Sequence, residues 1–136
     1  MAETTRPLPV PDIESRPYWE AAKRHQLLLL RCRACGQYLF PPRPACGQCH
    51  GTGLVWTELS GRGTVYTYTI MHDTLIRGLT PPYVVALVEP EEAPGVRITS
   101  NILDCPPDEV HIGMPVEVCF EEVTDEVTLP QFRPRR

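Results

Sequence analysis

Three observations predict a mainly β protein that begins with one short helix. Two Cys-x-x-Cys pairs stand ten residues apart, five short runs rich in Val, Ile, Thr and Tyr follow them, and 16 prolines and 9 glycines interrupt a chain of 136 residues. Punctuation that dense leaves little room for long helices, and β-branched or aromatic runs bounded by Gly and Pro read as strands. The expected organisation is an extended arm over 1–14, a helix and cysteine-rich ribbon over 15–52, and a five-stranded OB-fold barrel with a C-terminal tail over 53–136.

The arm holds Pro7, Pro9 and Pro11 and shows no sustained period, so it reads as extended. Ser15 is a good helix N-cap, Pro17 suits the first turn, and Arg24-His25 put positive charge at the other end. A helix over 15–25 with Tyr18 and Trp19 on an aromatic face follows. The leucines between Gln26 and Arg31 are too few for periodicity to decide; because they feed directly into Cys32 they are read as a strand. Further strands are expected at 54–59, 63–71, 83–88, 96–103 and 115–123. Gly61 and Gly63 predict a tight turn or bulge where the second of these begins. Five such strands suit a small antiparallel barrel, with a sandwich as the alternative. The segment 129–136 reads as a tail that orders against a partner.

Composition excludes several classes. With 42% hydrophobic and 22% charged residues the chain can bury a core, while its length suits one domain or two small modules rather than a large multi-step enzyme. The formal charge is −4, and a surface of that sign repels a phosphate backbone, so nucleic acid is not an expected partner. Arg133, Arg135 and Arg136 form the one basic concentration and are read as solvated. Apolar runs such as Leu27 to Leu30 are far short of a membrane span, and no signal-like segment precedes them. A soluble cytoplasmic protein is the expectation. His72, Asp73, Glu89 and Asp104 lie near strand ends, but no two have the spacing of a general acid and base.

The cysteines carry the strongest signal. Cys32-Arg33-Ala34-Cys35-Gly36 and Cys46-Gly47-Gln48-Cys49-His50 are two knuckles whose four sulfurs can close a tetrahedron around one structural Zn2+. Gly36 supplies the backbone conformation that turns amides toward the thiolates. Four thiolates leave no position for water or substrate, so the ion stabilises and does no chemistry. Two disulfides, an iron site with the same ligands, and His50 in place of one cysteine are the competing readings. His25, His72 and His111 are isolated, and Cys105 and Cys119 sit in apolar contexts as ordinary thiols. Between the knuckles, Phe40-Pro41-Pro42-Arg43 offers an aromatic and a cation. This segment either packs the ribbon on the barrel or presents Phe40 and Arg43 to a partner or an anionic ligand.

The order of an aromatic-faced helix, the two knuckles, Phe40-Pro41-Pro42-Arg43, Gly61-Arg62-Gly63-Thr64-Val65-Tyr66-Thr67-Tyr68-Thr69, Pro82-Tyr83-Val84-Val85-Ala86, Ile112-Gly113-Met114-Pro115-Val116 and Leu129-Pro130-Gln131-Phe132 resembles the acyl-CoA-associated zinc-ribbon and OB-fold proteins. The likeness runs from about residue 15 almost to the end. It implies a rubredoxin-like zinc ribbon followed by an OB-fold, and a non-catalytic, free-standing companion of a thiolase-superfamily enzyme: an acyltransferase, a synthase or an aldolase of steroid or lipid metabolism. Tyr18, Trp19, Phe40 and Arg43 are the expected partner interface, since aromatic residues and Arg anchor interfaces. An alternative is direct acyl-CoA binding, with Arg62 and Arg97 on its phosphates; the acidic turn 89–95 weighs against it. A nucleic-acid-binding OB-fold is the remote alternative.

Overall fold

The structure is a computed structural model and describes residues 6–74 and 76–136. The first five residues of the expected arm lie outside the described residues. Helix α1 spans Arg16–Lys23, shorter at both ends than expected. Ser15 is its N-cap, but the hydroxyl caps no helical amide; it accepts from the Asp12 amide at 3.1 Å while Asp12 Oδ1 accepts from the Ser15 amide at 2.8 Å. The helix ends where His25 takes a left-handed φ of 60°. The His25 and Gln26 amides donate to the carbonyls of Ala22 and Ala21, both at 2.9 Å, which is a Schellman termination with histidine in the usual glycine position. His25 then stacks on Phe120 with ring centroids 5.0 Å apart.

Strands β1 (Leu28–Cys32), β2 (Tyr38–Leu39) and β3 (Leu54–Glu58) form a three-stranded antiparallel ribbon in the order β2-β1-β3. Strands β4 (Arg62–Met71), β5 (Tyr83–Pro90), β6 (Ile98–Asn101), β7 (Pro115–Glu122) and β8 (Thr128–Pro134) form a second sheet in the order β6-β5-β4-β7-β8. Two assignments differ from the sequence reading. Strand β3, expected in the barrel, pairs instead with β1 from Leu28↔Glu58 to Cys32↔Leu54. The fifth barrel strand is β8, which the sequence presents as a tail. Its prolines explain why it does not read as a strand and why it is one. The Val123 amide donates to Val127 and the Arg135 amide to Pro115, so the alternating register puts Pro130 and Pro134, opposite Phe120 and Val116, at positions whose nitrogens face away from β7.

The sheet curls but does not close as a full barrel. Its ends meet at one parallel bridge, Ile102↔Phe132, and at the Leu103 amide donating to the Phe132 carbonyl at 2.8 Å. Side chains complete the seam. Gln131 Oε1 accepts from the Asn101 amide at 2.9 Å and from Ser100 Oγ at 3.1 Å, and Asn101 Nδ2 donates to the Val84 carbonyl at 2.8 Å. One core runs through both sheets, joining Tyr18, Leu27 and Leu29 to Val65, Val88, Ile98, Val116 and Phe132.

The entrance of β4 behaves as its glycines suggest. Gly61 has φ +90°, and a Cβ there would lie 2.4 Å from Val118 Cγ1, while a register shift follows between Val65 and Thr67. Gly61→Ala therefore combines an unfavourable backbone with a clash, and a loss of roughly 2–4 kcal/mol in urea unfolding is expected. A loss below about 0.5 kcal/mol would show that the β4–β7 junction yields freely.

Candidate metal centre and partner face

The two knuckles have the same backbone. The Gly36 amide donates to the Cys32 carbonyl at 2.7 Å and the His50 amide to the Cys46 carbonyl at 2.9 Å; the Cys32 amide donates to Gln37 and the Cys46 amide to Gly51. Gly36 has φ +77° and His50 φ +63°. His50 thus occupies in the second knuckle the left-handed position that Gly36 fills in the first, and its role is conformational.

The Sγ atoms of Cys32, Cys35, Cys46 and Cys49 all lie within 4.8 Å of one another, the one such cluster found among the described residues. Cys32 and Cys49 are 3.5 Å apart and Cys35 and Cys46 3.6 Å. Zn–S bonds of about 2.3 Å in a tetrahedron require sulfurs roughly 3.8 Å apart, so the donor set and its spacing fit one zinc ion. The Cys49 and Gln48 amides hold the Cys46 thiol down to about 7, and the Cys35 amide chiefly lowers that of Cys32. The Gln37 amide pulls Cys35 the same way, but burial and the neighbouring sulfurs prevail and push it up to about 12. Four thiolates cannot coexist there without a cation, which is the electrostatic case for a metal. Burial is the main cause raising the thiols of Cys105 and Cys119, the opposite of an activated nucleophile.

The remaining expected site residues divide into separate places. Tyr18 is buried, packed edge-on against Trp19 at 4.9 Å and tilted against Phe40 at 5.6 Å. It contributes to the wall of the aromatic groove while exposing little of its own surface. Trp19 and Phe40 are half-buried and open onto a largely apolar groove of about 410 Å3 with Ile76, Leu79 and Tyr83, and the Tyr83 hydroxyl is buried with no hydrogen-bond partner among the described residues. Ile76 and Leu79 were not singled out by the sequence, although two apolar residues in a Gly- and Pro-bounded loop are a readable signal. Arg43 lines a different recess with Arg97, Gln37 and Gln48. Arg62 pairs with Glu91 at 2.9 Å, and Arg97 lies 3.8 Å over the Tyr66 ring.

This architecture has known relatives. Residues 19–55 match the rubredoxin-like zinc ribbon domain of ChsH2, and residues 56–121 match its C-terminal OB-fold domain. A DUF35 domain-containing scaffold protein of Methanocaldococcus jannaschii is 38% identical over 119 residues, which span 82% of this chain and 79% of the relative. The chain belongs to the DUF35 family. This DUF35 chain is also 40% identical over 129 residues to a protein of Thermomonospora curvata named a probable enoyl-CoA hydratase alpha subunit; the match takes in 95% of the chain but only 40% of that longer relative. Among solved structures, a chain of the Ltp2-ChsH2(DUF35) aldolase superposes with a TM-score of 0.85 at 38% identity, covering 93% of this chain and 98% of the other. No helix of the described residues is long and apolar enough to cross a membrane.

Proposed function

We propose that this DUF35 protein is a non-catalytic scaffold subunit that docks on a thiolase-superfamily acyl-CoA enzyme in the cytoplasm. The observation that carries the reading is the likeness to almost the whole of a chain from an aldolase named for two components. The scaffold names of relatives near its own length agree with it. The chemistry of the metal centre is in accord: four thiolates close the coordination sphere and leave no place for a reacting water. The docking face is the aromatic groove at Trp19 and Phe40, flanked by Ile76 and Leu79, with Arg43 beyond it.

The test is co-purification of the tagged chain with candidate thiolase-like proteins of the same cell, followed by quantitative titration of the pair. Trp19→Ala removes a half-buried aromatic anchor, and loss of such a residue from an interface weakens association by about tenfold or more. Recovery of a thiolase-like protein near equal stoichiometry is the expected result. Affinity unchanged by both Trp19→Ala and Arg43→Glu would discard this face, and a chain that captures none of these enzymes would discard the proposal.

A further inference from the structure

Charge in this chain is divided unevenly. Residues 16–53 carry six Lys and Arg against one Glu, whereas residues 54–136 carry six against thirteen acids. Within the barrel, Arg62 and Arg133 pair with Glu91 and Glu117. Arg43 and Arg97 do not: among the described residues neither makes an ion pair. They come from different modules, one from the loop between the knuckles and one from the approach to β6, and they line the same recess of about 310 Å3 at the ribbon–barrel junction. Its other walls include Gln37, Gln48, Gly47 and Gly95.

The Arg97 Cζ lies over the Tyr66 ring, 3.8 Å from its centroid, a cation–π contact that restrains the guanidinium. The Arg43 group lies against Gly47, where an added Cβ would come within 3.2 Å of Nη1. The acidic turn beside the barrel is already occupied, and not by these two: Glu91 binds Arg62, Glu92 accepts from the Ser60 amide at 2.7 Å, and Glu89 accepts from the Gly95 amide at 2.9 Å.

We infer that this recess is a binding site for a phosphoryl anion of two or more negative charges, held between Arg43 and Arg97. Planar guanidinium forks match phosphate oxygens two at a time. A concave recess at the lower end of the size of small-ligand pockets fits a phosphate ester better than it fits a flat acidic protein surface. Arg62, the cation the sequence pairs with Arg97 for this task, is neutralised by Glu91 and is not part of the site. The inference stands apart from the scaffold proposal, because it is read on the isolated chain.

The experiment is isothermal titration of the zinc-loaded protein at low salt with pyrophosphate, adenosine diphosphate and coenzyme A, and with a hexaglutamate peptide as the acidic-protein probe. Saturable binding of at least one phosphate is expected, weakened by added salt and reduced about tenfold or more by Arg43→Gln and by Arg97→Gln, with Arg62→Gln close to wild type. All three variants must keep one zinc per chain and the wild-type melting temperature, which exposed positions allow. Tighter binding of the two nucleotides than of pyrophosphate would assign the site to a nucleotide-borne phosphate, and equal binding to the inorganic anion. Absence of saturable heat at millimolar phosphate, indifference to both Arg43→Gln and Arg97→Gln, or tighter binding of hexaglutamate would each overturn the inference.

Discussion

Serine in place of Cys46 is expected to abolish zinc binding and melt the ribbon, the largest effect any single substitution should have on this protein. The reason is the size of the ribbon's own core. Beyond the cysteines, its buried cluster comprises Leu30 and Leu39, with Leu54 and Trp56 at the margin, and β2 is two residues long. Hydrophobic burial on that scale does not fold a module, whereas structural zinc in small fingers contributes on the order of 10–16 kcal/mol. That figure matches or exceeds the whole stability of an ordinary domain. Because Leu27 and Leu29 also reach into the barrel core, unfolding the ribbon should loosen the barrel as well. A strong chelator should reproduce the effect, and so should acid. Metal binding requires deprotonated thiols, so the stabilisation is present at neutral pH and is lost as falling pH returns protons to the sulfurs, including that of Cys46, which is held down to about 7. Metal analysis beside a thermal melt decides it. A Cys46→Ser protein that still carries one zinc per chain and melts like wild type would refute the four-thiolate centre.

What the sequence makes legible follows the range of the interactions that fix each feature. The knuckles are local: Cys32, Cys35 and Gly36, then Cys46 and Cys49, set their own hydrogen bonds within six residues, and spacing alone finds them. The alternation of β5, with Val84, Ala86 and Val88 buried, is local too. Partnership is not. Nothing in Leu54 to Glu58 says that it pairs with β1 rather than β4, because that choice is imposed by the zinc-bound turns that bring Cys32 opposite Leu54. His50 looks like a ligand or a neighbour until the backbone shows it standing where Gly36 stands. Tyr18 is buried under Trp19 and Phe40, and the meeting of Arg43 with Arg97 joins residues 54 positions apart across two modules, so no spacing rule could pair them.

The missed strand β8 carries the second large effect. Phe132 is among the largest fully buried side chains, 1% exposed, opposite Val118 on β7 and bridged to Ile102 beyond β6. Its backbone closes the seam and its ring fills the core, so Phe132→Ala should cost roughly 3–5 kcal/mol through lost burial and the cavity left behind. The melting temperature should fall on the order of 10 °C or more. Phe132→Leu, which keeps most of the volume, should cost about 1–2 kcal/mol. The pair is diagnostic, because a tail that orders only against a partner would show neither loss in the isolated protein. The contrast with Cys46→Ser is equally informative. The sulfurs are positioned by the knuckles and not by β8, so folded Phe132→Ala should retain one zinc per chain while unfolding at lower denaturant. An alanine variant within about 1 kcal/mol of wild type would mean that the sheet keeps its core without β8, and the seam at Gln131 and Phe132 would then be a consequence of the fold and not one of its causes.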